Sequence, residues 1–135
     1  MSARGKARLL ALDFLYEGDL RGKSPLELLQ ERGTGEISQG GYVSTLLTGV
    51  SAHLGKIDEI ITTYAQGWDL DRMPPIDRNI LRIAIYEILW ESQLDDQVAV
   101  SQAIEIAQEL STDDSSKYVN GVLGRIIALK STFAI

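Results

Sequence analysis

Apolar residues along this chain recur at three- and four-residue spacings, so the dominant period is that of an amphipathic helix. Leu9, Leu12, Tyr16 and Leu20 make one stripe, with Ser2 positioned to cap the helix start and Gly22 offering a left-handed exit. In "SPLELLQERG", Ser24 at N-cap, Pro25 at N1 and Glu27 at N3 predict a second, short helix closed by Gly33. Residues 33 to 41, "GTGEISQGG", hold four glycines and read as a mobile loop. Val43, Leu46, Leu47, Val50 and Leu54 predict a third helix, and Ile57, Ile60, Ile61 and Tyr64 a fourth, with the bend expected at Gly55.

The stretch "GWDLDRMPP" interrupts the pattern, since Pro74-Pro75 forbids helix at Met73 and presets the start of the next one. From Ile76 the residues Ile80, Ile83, Ile85, Ile88 and Leu89 carry the strongest apolar face, which predicts a central core helix with Asp77 in its first turn, where an acid complements the helix dipole. Val100, Ala103, Ile104, Ala107 and Leu110 predict a sixth helix from about residue 99, and its small residues suit close approach of a neighbour. Val119, Val122, Leu123, Ile126 and Ile127 keep helical spacing across Asn120-Gly121, so that pair is not a hairpin turn. Gly121 then costs about 1 kcal/mol relative to alanine in a helix interior, and close packing against the Ala103/Ala107 seam is the expected compensation. Asp95-Asp96 and Asp113-Asp114 read as helix caps rather than metal ligands.

Composition narrows the function classes. The 135 residues fit one domain without cysteine, which excludes disulfides and thiolate chemistry. No apolar run reaches the roughly 18 residues of a membrane span, so a soluble, cytoplasmic protein is expected. The single histidine, His53, reads as a packed or surface residue. No phosphate cradle, nucleophile elbow or convergent acid–base set stands out, and neither an active site nor a metal or cofactor is expected. The two tryptophans read as core or rim packing.

Charge is distributed unevenly. The net charge is -6, yet Arg4, Lys6 and Arg8 precede any acid, and the rest of the chain holds 10 bases against 19 acids. Cations at a helix start oppose the macrodipole, so helix stability did not place them. A basic arm on an acidic body suits a polyanion at one place while repelling it elsewhere.

Four segments in order, "RGKARLLALDFLY", "LDRMPPIDRNILRIAIYEIL", "VAVSQAIEIAQEL" and "STDDSSKYVNGVLGRI", resemble the bacterial NusB transcription antitermination family over nearly the whole chain. The resemblance implies an all-α fold of about seven helices in two tightly packed bundles, with subdomains of about 1–67 and 68–135. It implies a non-enzymatic factor that binds the single-stranded boxA element, especially of ribosomal RNA leaders. The partner is NusE, a small-subunit ribosomal protein, and other Nus factors and RNA polymerase are reached indirectly. Carried over by position, RNA contacts fall on Arg4, Lys6, Arg8, Tyr16, Asp114, Lys117 and Tyr118, and partner contacts on Tyr16 and Asp77. By the same resemblance Lys117-Tyr118 faces the same RNA as the basic arm. Two departures from the family pattern are Gly5 within the basic run and Ser101-Gln102 where Asn-Glu is common. A homodimer is compatible with the family. The alternative reading is an acidic helical interaction or self-association module to which RNA is incidental.

Overall fold

The computed structural model describes residues 2–32, 41–65 and 67–133. Seven α-helices are formed: α1 (Ala3–Arg21), α2 (Pro25–Arg32), α3 (Tyr42–Ala52), α4 (Leu54–Tyr64), α5 (Pro75–Trp90), α6 (Asp96–Leu110) and α7 (Asp113–Ala128). Single 3-10 turns lie at Leu70–Arg72 and Lys130–Thr132, and no strand occurs among the described residues.

Local chemistry accounts for the element ends. Ser2 Oγ accepts from Gly5 N–H at 3.0 Å to start α1, and Gly22 ends it at φ 65°, in the left-handed region. Met73 is extended ahead of Pro74-Pro75, with Pro75 the first residue of α5. Gly33 and most of the glycine-rich loop lie outside the described residues. Three boundaries differ from expectation. The bend between α3 and α4 falls at His53, and Gly55 lies inside α4. Asp95 caps α6 by accepting from Gln97 N–H at 2.8 Å, which starts that helix three residues earlier than apolar spacing suggests. Thr112 caps α7 through Ser115 N–H at 3.0 Å, so Asp113 and Asp114 occupy the first turn and not the cap. Acids there complement the dipole and leave the capping to a hydroxyl.

α5 is the spine. Twelve of its 16 residues are buried, which follows from packing against α1, α3 and α4 as well as α6 and α7. A single cluster of buried apolar side chains joins residues of all seven helices, from Ala7 through Leu81 to Ile126. Burial of this kind supplies most of the driving force for folding, at about 25 cal/mol per Å² of apolar surface. α1 and α5 run antiparallel and are clamped at two levels, where Arg8 meets Glu87 and Asp19 meets Asn79 and Arg82.

The second clamp extends to α4. Arg82 is 7 % exposed and sends Nε and Nη2 to the two Asp58 oxygens at 2.8 and 2.9 Å, while Nη1 reaches Asp19 at 3.1 Å. Asp19 also accepts from Arg78 Nε at 3.0 Å and Asn79 Nδ2 at 2.9 Å. Burial raises the Asp19 carboxyl, but the Asn79 amide and the Arg82 and Arg78 guanidiniums outweigh it and hold it below its ordinary 3.8. Its contribution to stability is present above the unfolded value and lost as pH falls through the depressed folded one. Urea unfolding followed from about pH 5 to pH 2 is therefore expected to show less acid loss in Asp19→Asn than in the parent. Equal acid slopes would remove Asp19 from the acid response.

Candidate nucleic-acid interface

The helical period puts the cations at the start of α1 in different surroundings. Arg4 and Lys6 are exposed. Arg4 lays its guanidinium 4.9 Å from the Tyr42 ring centroid, a cation–π contact between α1 and α3. Together with Ala7 and Leu10 they line an open groove of about 470 Å³. Arg8 turns inward instead. At 2 % exposure it sends Nε to both Glu87 oxygens at 3.0 Å, Nη2 lies 2.9 Å from Glu87 Oε2, and Nη1 reaches Gln102 Oε1 at 3.3 Å. Tyr42 donates its hydroxyl to the same Glu87, and burial, reinforced by that carboxylate, pushes the Tyr42 phenol well above its ordinary range. Its guanidinium is thus paired and enclosed, which leaves Arg8 no free cation for the phosphate contact that the resemblance implies.

A second polar cluster forms where α7 starts against the start of α5. Asp77, expected on a partner surface, is 2 % exposed and accepts from Ser115 Oγ at 2.8 Å. Ser115 in turn receives Ser111 Oγ at 2.9 Å and Thr112 Oγ1 at 3.0 Å. Asp77 therefore acts by fixing the first turn of α7, not as an open carboxylate. Asp114 and Lys117 are exposed on that helix, and Tyr118 is half-buried. The Tyr118 hydroxyl is enclosed without a hydrogen-bond partner among the described residues, as is Asp77 Oδ1. Burial, then the Asp77 charge, raises the phenol above its ordinary range. With the hydroxyl turned in, what remains for a ligand is the ring. Trp68, 43 % exposed, lies beside it with ring centroids 5.8 Å apart.

These two clusters are not adjacent. Arg8 is level with Glu87 and Ser115 with Asp77, so ten residues of α5, about 15 Å of axis, separate them. Tyr16, half-buried on α1, falls between the two clamps and nearer the Asp77 end. A strand touching both clusters has to run along the protein.

Sequence reading missed four participants. Tyr42 and Glu87 become visible only once α1, α3 and α5 are packed, although a lone acid inside "IAIYEIL" signals a buried charge in need of a partner. Trp68 follows the helical pattern rather than joining it, and of the core and rim positions expected for the tryptophans it takes the rim, beside Tyr118. Arg125 sits two turns beyond Lys117 on one helix face, a spacing readable from the sequence.

The NusB family model matches residues 5–128. The chain belongs to the NusB family. The NusB antitermination protein of Salinispora tropica is 51% identical over 132 residues, covering 93% of this chain and 96% of that protein. That of Kineococcus radiotolerans is 49% identical over 135 residues, with 99% of each chain covered. Among solved structures, NusB of T. maritima superimposes with a TM-score of 0.84 at 32% identity, covering 94% of this chain and 92% of that one. A complex of the antitermination factors NusB and NusE with double-stranded RNA contains a chain with TM-score 0.80 at 27% identity, covering 95% and 98%. Against the NusB family pattern noted above, the departure at Gln102 acquires a physical role, since its amide oxygen accepts from buried Arg8. No described helix is long and apolar enough to cross a membrane.

Proposed function

We propose that this NusB-family chain is a non-enzymatic, cytoplasmic antitermination factor that binds boxA RNA together with NusE and supports ribosomal RNA transcription. The observation that carries the reading is the grouping of exposed cations with partly exposed aromatic rings, Arg4 and Lys6 around one groove with Tyr42, and Lys117 beside Tyr118 and Trp68. Single-stranded RNA offers phosphates to such cations and unstacked bases to such rings, at about 1 to 3 kcal/mol per stacked base. The NusB–NusE relative with RNA supports both partners. An acidic surface, with 19 acids in a chain of net charge -6, suits a basic ribosomal protein. Other Nus factors and RNA polymerase are reached through that complex.

With Arg8 enclosed, three cations remain from the carried-over set and contribute about -2 to the logarithmic salt slope for a single strand, against the roughly -3 that four of them would contribute. Titration of labelled boxA-like RNA, single-stranded and duplex, with and without NusE, tests this. Simultaneous Arg4→Ala, Lys6→Ala and Lys117→Ala changes are expected to make the slope shallower by about 2 and weaken binding at low salt. Binding indifferent to salt and to all three changes would instead favour an interaction module with RNA incidental.

A further inference from the structure

Among the features of α7 that the fold leaves unexplained, exposed Gly124 included, two share one surface of the helix. Gly121 lies in the helix interior, where glycine costs about 1 kcal/mol relative to alanine. The anticipated compensation by close packing is absent among the described residues: a Cβ built at Gly121 meets nothing within 4 Å, and the residue is exposed. Nothing among the described residues uses the missing side chain. The second feature is Arg125, an exposed cation with no ion pair among the described residues, two helical turns beyond Lys117.

Both border one groove. Between the end of α4 and the exposed face of α7, Tyr64, Lys117, Tyr118, Gly121, Val122 and Arg125 enclose about 350 Å³. That is at the small end of the roughly 300–1,000 Å³ of ligand pockets, suited to one nucleoside rather than to a helix or strand. The walls are two tyrosines. Cations stand at both ends, about 12 Å apart along the axis, and Gly121 lies between them and keeps the floor bare. No acid is among the described lining residues, on a chain whose acids outnumber its bases 19 to 13. A local excess of cations and π faces on an acidic protein is the signature of a site for a polyanion with flat bases.

We propose that this groove seats one nucleotide of the bound RNA, its base against Tyr64 and Tyr118 over Gly121 and its flanking phosphates on Lys117 and Arg125. The inference rests on the RNA-binding reading and deepens it by extending the contact surface along α7 to residues outside the carried-over set. It gives a use to the bare backbone at Gly121, which packing among the described residues does not require.

The test separates this groove from the general reading. Arg125→Ala is expected to weaken boxA-like RNA binding about three- to tenfold at low salt and to make the salt slope shallower by about 0.7. Gly121→Ala, with open space for its methyl, is expected to raise the thermal midpoint while lowering RNA affinity, and Gly121→Leu to lower it further. Gly55→Ala, at another exposed helix glycine with equally open space, serves as the control and leaves affinity unchanged. If the parent binds RNA and the Arg125 and Gly121 variants match it in affinity and slope, the groove is idle and this inference falls alone. If the folded parent binds neither single-stranded nor duplex RNA, with or without NusE, the functional reading falls and takes the groove with it.

Discussion

Arg8→Ala is expected to remove about 3–5 kcal/mol of folding stability, the loss typical when one partner of a buried ion pair is deleted. The reason lies in what stays behind. Glu87 is 1 % exposed in the last turn of α5 and loses its three short contacts with the guanidinium, at 2.9 to 3.0 Å, retaining only the Tyr42 hydroxyl among the described residues. A carboxylate so enclosed has to find a proton or admit water, and either distorts the junction of α1, α3 and α5. Urea unfolding at neutral pH measures the loss. Adding Glu87→Gln to Arg8→Ala is expected to recover part of it, because the orphan charge is then gone, and the double-mutant cycle should give a coupling of about 2 kcal/mol or more. A single-variant loss below about 1 kcal/mol would mean that the pair behaves like an exposed one. Where the Arg8 variant remains folded, its RNA salt slope should equal the parent's, which separates a structural arginine from a phosphate contact.

Gly49→Ala is the second large effect, and its origin is steric. A Cβ at Gly49 would stand 2.1 Å from Tyr86 Cε1, 2.2 Å from Cζ and 2.6 Å from the hydroxyl oxygen. The ring has little room to retreat. It is 7 % exposed, its hydroxyl donates to Glu91 at 2.6 Å, and it lies in a layer with Trp90 and His53, themselves stacked 4.1 Å apart. Overpacking of this order costs about 1–3 kcal/mol, and here the upper end is expected. Tyr86→Ala should be destabilising by itself, yet adding Gly49→Ala to it should cost almost nothing more, since the obstructing ring is gone. Additive losses in the double variant would show that Gly49 matters for its own backbone and not for Tyr86.

Most of the architecture is legible in the sequence because its signals are local. The cap at Ser2, the exit at Gly22 and the double proline before α5 each act within a few residues, and each has its expected structural counterpart, whereas of the stripe Leu9, Leu12, Tyr16 and Leu20 only Leu12 is buried and Leu20 is 61 % exposed. The polar interior is not legible in that way. Arg8 and Asp77 sit at helix starts, where charge is ordinarily solvated, and their burial depends on Glu87, 79 residues away, and Ser115, 38 residues away. Helical period places a residue on a face but does not say which neighbour covers it. The same gap hid Gly121, whose position in a helix was readable while its empty surroundings were not. At the candidate interface, composition identifies the cations of the arm, but only packing separates exposed Arg4 and Lys6 from enclosed Arg8.

The two clamps between α1 and α5 act together as a vernier. Sliding α1 by one turn, about 5.4 Å, would carry Arg8 towards Ile83 or Glu91 and move Asp19 out of line with Asn79 and Arg82, so no shifted register satisfies both ends. Apolar stripes alone would tolerate such a slip far better. Because the arm is carried on α1 and the turn around Ser115 is held to the start of α5, the same lock fixes the spacing between Arg4-Lys6 and Lys117-Tyr118. The protein thereby carries a ruler of set length, and a flexible strand laid along it has to match that length with a definite number of nucleotides.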